Sequence, residues 1–163
     1  SGAYYDISRI FMRELKKHNA PNQLLVRMAL VDTSPPNVIG DEGINQLYNA
    51  SDIGLNTSDG EGFGLCQLEH MHTGAPQVVT DVGSYRSFLD ETVARFIPVT
   101  SESYFAGAMP LGGWSAGSDV ADVTAAMKSA ADNLPTLREN ADKYTFKTWS
   151  QVCDDWLEQV LTA

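Results

Sequence analysis

Apolar positions recur along this chain at two spacings, and their alternation predicts its architecture. Over residues 3–17, Tyr4, Ile7, Ile10, Phe11 and Leu15 fall near helical spacing, while Arg9, Arg13, Lys16 and Lys17 face water. His18-Asn19-Ala20-Pro21 ends this helix, because proline cannot continue one. Gln23 to Val31, rich in Leu, Val and Met, reads as a buried strand, and Thr33-Ser34-Pro35-Pro36 as a loop. Asp41-Glu42 opens a short helix with Ile44, Leu47 and Tyr48 on one side, its acids placed at the positive end of the helix dipole.

The alternation then repeats. Residues 52–56 (DIGLN) predict a short strand, Ser58 to Gly62 a Gly- and acid-rich turn, and Phe63 to His72 a helix burying Leu65, Leu68 and Met71. Thr73-Gly74-Ala75-Pro76 is a helix stop. Strands are expected at Gln77–Thr80 and Arg95–Val99, with a turn at Asp81-Val82-Gly83 and a short helix from Tyr85 to Leu89 between them. The Ser- and Gly-rich stretch 101–118 reads as one long loop. Asp119 caps a helix to about Asn133, and Pro135 opens another. A last helix, 146–161, carries Phe146, Trp149, Val152, Cys153, Trp156, Leu157, Val160 and Leu161 on one broad face. Strands alternating with helices give an α/β layer with a mainly parallel sheet, in which ligands bind at the carboxyl ends of the strands.

Composition narrows this. A length of 163 residues suits one domain spanning 1–163, and 43% apolar with 20% charged residues excludes a disordered chain. The net charge of −10 argues against nucleic acid and anionic membranes, which need a basic face. No stretch reaches the length of about 18 apolar residues that a membrane span needs. Cys66 and Cys153 are too few for a disulfide framework, so a reducing cytoplasm is expected, with the cytoplasmic face of a membrane as the alternative. The cysteines and histidines show no zinc spacing. Between Arg27 and Arg86 there is no Lys or Arg, yet Asp32, Asp41, Glu42, Asp52, Asp59, Glu61, Glu69 and Asp81 all lie there.

The segment with most chemistry is Asn56 to Glu69, NTSDGEGFGLCQLE. Gly60, Gly62 and Gly64 let the backbone turn and a ligand approach. The amides of Gly64, Leu65 and Cys66 open a helix whose dipole favours an anion. Glu61 stands in the turn and Glu69 eight residues on, so two carboxylates can grip two parts of one elongated, hydroxyl-rich ligand. Read without that ligand, the glycines make a turn and Glu69 is a solvated helix residue.

Leu47-Tyr48-Asn49-Ala50-Ser51-Asp52-Ile53, then Glu61-Gly62-Phe63-Gly64-Leu65, then Leu68-Glu69, closely resembles the retaining GT-B glycosyltransferases of the family-4, or group 1, type. Their hallmark is two glutamates separated by seven residues, here Glu61 and Glu69. Thr73–Pro76 with Val78–Gly83 resembles the family's next strand and turn, and Phe146–Trp149 the start of its closing helix. The match is dense over 44–84 and loose elsewhere. The resemblance implies a Rossmann-like parallel sheet flanked by helices, the C-terminal half of a GT-B fold, and a nucleotide diphosphosugar as donor. It implies no cofactor and no catalytic metal. It places Glu61 beside the donor sugar as the catalytic residue, steadying the charge at the anomeric carbon. Gly62, Phe63 and Gly64 would line sugar and phosphates, Leu65 and Cys66 amides would face the diphosphate, and Glu69 would hold the ribose hydroxyls. Val38 and Ile39 would flank the base, and Asp81 and Gly83 shape a turn.

Family members usually meet the diphosphate with an Arg and a Lys after the domain's first strand. The resemblance implies that the chain starts within the helix after that strand, truncated at its N-terminus. An N-terminal domain would mainly bind the glycan, lipid or protein acceptor. On this reading the chain alone is inactive and binds donor poorly. The alternatives are a non-catalytic nucleotide-sugar-binding or protein-interaction module and, less fitting, a sugar-nucleotide epimerase. His70 and His72 read as packing or surface residues rather than general bases, and Trp149 and Trp156 as core or as contacts to another domain. Tyr104, Phe105, Met109 and Trp114 read as part of a disordered loop or as docking residues for another domain, rather than as acceptor contacts.

Overall fold

The computed structural model describes residues 6–29, 31, 36–105 and 113–162, and divides into two compact units, 1–40 and 41–163. Tyr4, the 33–35 loop and Met109 lie outside the described residues.

In the first unit, α1 (Ile7–Lys17) starts at Asp6, whose carboxylate accepts from the Arg9 amide at 3.0 Å. This N-cap satisfies one of the helix's free donors. Lys16 and Lys17 fall in the last turn, where the dipole is negative. Leu15 is buried, as the amphipathic spacing requires. The strand expected over 23–31 is not formed. Asn22–Arg27 is a 3-10 helix, and the Leu24 amide donates to the Pro21 carbonyl at 3.0 Å. An apolar run without period fits a strand or a helical turn equally well, and only a neighbouring strand decides between them. Every strand pairing of the described residues lies in the second unit.

The second unit opens with α2 (Asp41–Asn49), followed by β1 (Gly54–Asn56), α3 (Leu65–Met71), β2 (Gln77–Thr80), a 3-10 turn at Tyr85–Ser87, and β3 (Ala94–Ile97). The strands form a parallel sheet in the order β1-β2-β3, with Gly54 opposite Gln77 and Val79 opposite Phe96. Helices α4 (Val120–Asp132), α5 (Leu134–Lys143) and α6 (Trp149–Thr162) follow.

The central strand β2 is buried at every position, as a parallel strand covered on both faces is, including the polar Gln77 and Thr80. Val79 points into a cluster with Met71, Tyr85, Phe88, Leu89 and Val93. Its neighbour Val78 joins Ile97, Ala126, Ala130 and Leu137. Successive side chains of a strand face opposite ways, so α3 and the 85–93 segment cover one face and α4 the other, while α5 sends Ala141 to the first cluster and Leu137 to the second. Ala126 and Ala130 are small enough to bring α4 close to β2 and β3. Each fully buried Val or Ile contributes about 1.5–3 kcal/mol.

Three expectations are corrected here. Residues 101–118 are not one long loop: β4 (Ser101–Phe105) and β5 (Gly113–Gly117) pair antiparallel, with Ser101 opposite Gly117. Tyr104 and Trp114 face each other across the pair, rings 5.4 Å apart, the kind of cross-strand contact that holds a hairpin. Ser and Gly dilute the period there, so composition masks the strands. Next, the broad apolar face of the last helix is not core. No residue of α6 is buried, and Trp149 and Leu161 are 80% and 82% exposed. Finally, Leu65 is exposed, because α3 lays Leu68 and Met71 against the core and turns Leu65 outward.

Candidate functional site

β1 ends at Asn56, and the chain passes through residues 57–64 into α3. Asn56 organises the exit. Its carboxamide oxygen accepts from the Ser58 amide at 2.8 Å and hydroxyl at 2.6 Å, and its nitrogen donates to Gln67 Oε1 at 3.1 Å. Gln67 Oε1 also accepts from the Tyr85 hydroxyl at 3.2 Å. A buried glutamine on α3 thus joins the strand end to the 3-10 turn after β2.

The Gly-rich loop is held at four points. Ser115 donates to the Asp59 carboxylate at 2.6 Å, and the Ala116 amide to the Asp59 carbonyl at 3.0 Å, so the β4–β5 hairpin grips one end. Ser84 Oγ donates to the Phe63 carbonyl at 2.7 Å. Gly83, at φ 59°, lies so close that a Cβ there would sit 2.0 Å from the Glu61 carbonyl oxygen. Gly64, at φ 90°, caps α3 with its Cα against the Tyr85 ring, where a Cβ would come within 2.5 Å of the ring edge. Only glycine fits either position, by conformation and by space.

Within this frame Glu61 is half-buried. Burial, and then the charge of Glu61, pushes the Tyr85 phenol up to about 12, so Tyr85 stays a neutral donor beside that carboxylate. Phe63 stacks on Phe88 with ring centres 5.3 Å apart and leaves 45% of its surface exposed. Glu69 stands exposed on α3 and accepts from the Tyr48 hydroxyl at 3.2 Å. Tyr48 stacks on His70, and its phenol is raised by burial and then by Cys66 and Glu69. Cys66 is an exposed free thiol within electrostatic reach of both tyrosines. The amides of Gln67 and Leu68 turn back to the Gly64 carbonyl, at 3.1 and 3.0 Å. Those of Leu65 and Cys66 precede them, where a helix has no acceptor of its own.

The structure therefore brings Glu61, Gly62, Phe63, Gly64, Leu65, Cys66 and Glu69 onto one strand–loop–helix turn at the carboxyl edge of the sheet. Val38 and Ile39 belong to the other unit, Val38 being 75% exposed. Asp81 does more than shape a turn. It binds Arg86 through both oxygens, at 2.9 and 2.8 Å, and that pairing holds its carboxyl below the usual range. Arg86 also meets Glu91 at 2.5 Å and lies 3.5 Å over the Phe96 ring. Arg138 pairs with Asp52 at 3.2 Å, and Arg95 bonds Ser129 and the Glu91 and Ala94 carbonyls. Among the described residues of this unit, the arginines nearest in sequence to the acidic segment are thus already engaged.

His70 is buried and His72 exposed, as packing and surface roles require. Sequence reasoning missed Gln67, Ser84, Tyr85 and Ser115. They come from α3, the turn after β2 and the hairpin, and no spacing rule connects those segments to residues 57–64. It also missed a cleft of about 750 Å³ beyond Phe63, walled by Leu68, Phe88, Phe146, Trp149 and Val152. A smaller hollow of about 410 Å³ lies among Thr57, Thr80, Ser118 and Val120. No helix of the described residues is long and apolar enough to cross a membrane.

The arrangement offers one carboxylate in the loop and one on the helix eight residues later, backbone amides of the first helical turn between them and an exposed aromatic ring. Such a set suits a ligand with hydroxyls at both ends and an anionic middle. Comparison with known families gives a match to the model described as glycosyl transferases group 1, over residues 19–109. That is more than half of the chain and includes both Glu61 and Glu69. No curated protein matches the chain.

Proposed function

This chain belongs to the glycosyl transferases of group 1, and from that premise we propose that it forms the donor-binding half of a retaining GT-B enzyme that moves a hexose from a nucleotide diphosphosugar. Membership makes glycosyl transfer the activity and implies a sugar donor and an acceptor. The observation that carries the finer reading is the position of Glu61: half-buried, beside a neutral Tyr85, and wedged by Gly83 at the mouth of a loop that leads to Glu69.

On this reading the sugar lies over Gly62, Phe63 and Gly64. The bond from the anomeric carbon to the diphosphate oxygen breaks, and positive charge grows on that carbon. The Glu61 carboxylate stabilises it. The acceptor oxygen then bonds to the same face, and its proton passes to the departing phosphate. The Leu65 and Cys66 amides receive the diphosphate, and Glu69, steadied by Tyr48, accepts from the ribose hydroxyls. Amides alone hold a diphosphate weakly among so many carboxylates. Residues 28–85 contain no Lys or Arg, so we assign its neutralisation to cations outside that segment. The chain alone then binds donor poorly and turns over little.

Turnover of nucleotide diphosphosugars by the complete protein tests this. Removing one well-placed charge stabiliser costs roughly 10²–10³ in rate, so Glu61→Ala should lose that much while the fold survives. Activity within threefold of wild type would sink the assignment. In parallel, a thermal-shift panel of UDP-, GDP- and ADP-sugars should show about 2.7 kcal/mol of added stability at about a hundred times the dissociation constant. No shift with any of them favours an interaction module instead.

A further inference from the structure

We propose that Ser115 is a positioning residue: through Asp59 it fixes the stretch of backbone that carries Glu61, a role in turnover that rests on the reading of Glu61 given above. Glu61 sits in a span that does little to hold itself. Gly60 and Gly62 flank it, and a Cβ at either would meet nothing within 4 Å. Among the described residues, Gly60, Glu61 and Gly62 make no backbone–backbone hydrogen bond. Glycine samples more backbone conformations than any other residue, so such a span goes where its ends are held. One end is Phe63, whose carbonyl accepts from Ser84, and Gly83 blocks the Glu61 carbonyl on one side. The other end is Asp59, and both of its bonds come from one place. Ser115 Oγ donates to its carboxylate at 2.6 Å and the Ala116 amide to its carbonyl at 3.0 Å.

These donors reach Asp59 on an arm. β4 and β5 form a sheet of their own, apart from β1, β2 and β3. The root of the arm is tied to the exit of β3, where the Thr100 amide donates to the Gly117 carbonyl and Ser118 Oγ to the Pro98 carbonyl, both at 2.8 Å. Its contact at Asp59 lies in the loop after β1. Because β2 stands between β1 and β3, the arm bridges the carboxyl edge of the sheet, over the hollow of about 410 Å³ that Thr57, Thr80 and Ala116 line.

The choice of donor fits the charge of the site. Residues 28–85 hold no Lys or Arg. An arginine on Asp59 would stand within reach of the carboxylate two residues on and compete for it with the positive charge that grows on the sugar. A serine hydroxyl holds Asp59 and adds no charge. Since Glu61 acts on charge present only in the transition state, moving it lowers kcat and kcat/KM together and leaves KM alone.

Release of nucleoside diphosphate from UDP-, GDP- and ADP-glucose by the complete protein tests the role. Ser115→Ala should lower kcat roughly tenfold with KM within about twofold, because the Ala116 bond remains and keeps the displacement of Glu61 below about 1 Å. Ser115→Thr retains the hydroxyl and should recover most of the loss. Asp59→Ala cuts the same bond from the other side and should reproduce it. In a Glu61→Ala background, Ser115→Ala should change the residual rate less than about twofold, because nothing is left to position. Amide exchange by NMR reads the latch without any donor: the Ala116 amide should exchange roughly tenfold faster in Ser115→Ala, while the Ala130 amide of α4 exchanges as before. A rise in KM with kcat unchanged, an equal loss in the Glu61→Ala background, or unchanged Ala116 exchange overturns the proposal. If the wild type releases nucleotide from none of the donors, or Glu61→Ala turns over within threefold of it, the transferase site falls and takes the positioning role with it. Faster Ala116 exchange then leaves only a mechanical latch.

Discussion

Gly83→Ala probes the wedge that sets Glu61. Gly83 sits at φ 59°, and an alanine Cβ would lie 2.0 Å from the Glu61 carbonyl oxygen and 3.0 Å from its carbonyl carbon. Two costs add. A left-handed backbone costs an L-residue roughly 1–2 kcal/mol. Overpacking against backbone costs about 1–3 kcal/mol, because a carbonyl cannot swing aside as a side-chain tip can. The sum is about 2–5 kcal/mol, which for a chain of this size lowers Tm by roughly 4–20 °C. Relieving the clash must also move Glu61 by about 1 Å, the margin between this approach and the closest ordinary Cβ contact. Displacement on that scale can cost about a hundredfold in rate. The assay is urea unfolding together with turnover in the complete protein, with Gly62→Ala as control. Gly62 has no atom within 4 Å of its would-be Cβ and no positive φ, so its variant should stay within about 0.5 kcal/mol of wild type or be slightly more stable. If Gly83→Ala unfolds within 0.5 kcal/mol of wild type, or Gly62→Ala is the more damaged of the two, the wedge argument fails.

Other perturbations follow from the same contacts. Tyr85→Phe removes the bond to Gln67 but leaves Asn56 on the same oxygen, so the loss should be near 1 kcal/mol by denaturant titration; a loss above 3 would mean the network is not shared as described. Arg86→Met should cost less than about 1 kcal/mol, since both carboxylate partners are partly solvated, and should lift the Asp81 carboxyl back toward its ordinary range by NMR titration. Asp81 stability is present above the ordinary carboxylate pKa near 3.8 and is lost as pH falls through its lowered folded value. His70 follows the same sign. Burial holds its ring neutral below the usual 6.5, so the unfolded chain takes up a proton first and stability falls on acidification below about pH 6.5. His70→Asn should flatten that limb of the Tm-versus-pH curve; an unchanged limb would assign it elsewhere. Deleting residues 149–163 removes a helix with no buried residue, so stability measured by urea unfolding should drop by less than about 1 kcal/mol.

The sequence by itself determined a good deal. Helical spacing located α1 and α2, since one face of each carries its apolar residues at periods of three and four, and the Asp119 cap marked the start of α4. The stop at Thr73–Pro76 and the β-branched Val78-Val79-Thr80 after it marked where α3 ends and β2 begins, because those signals act over a few residues. The order Glu61, Phe63, Glu69 marked the candidate site, although glycines and carboxylates so spaced fit a plain turn and a solvated helix equally well. What failed was whatever depended on a distant partner. The apolar run at 23–31 carries no period, so its 3-10 turn was not legible. The hairpin at 101–117 becomes visible only when Tyr104 meets Trp114 and Ser115 meets Asp59, 56 residues earlier in the chain. The apolar stripe of α6 states what that helix can bury and says nothing of what lies against it. Tertiary structure alone decided that Gly83 presses on Glu61, that Tyr85 and Gln67 brace the loop, and that an aromatic cleft opens beside Phe63. Local patterns record the forces between near neighbours, whereas a site is assembled from segments whose separation along the chain leaves no trace in any one of them.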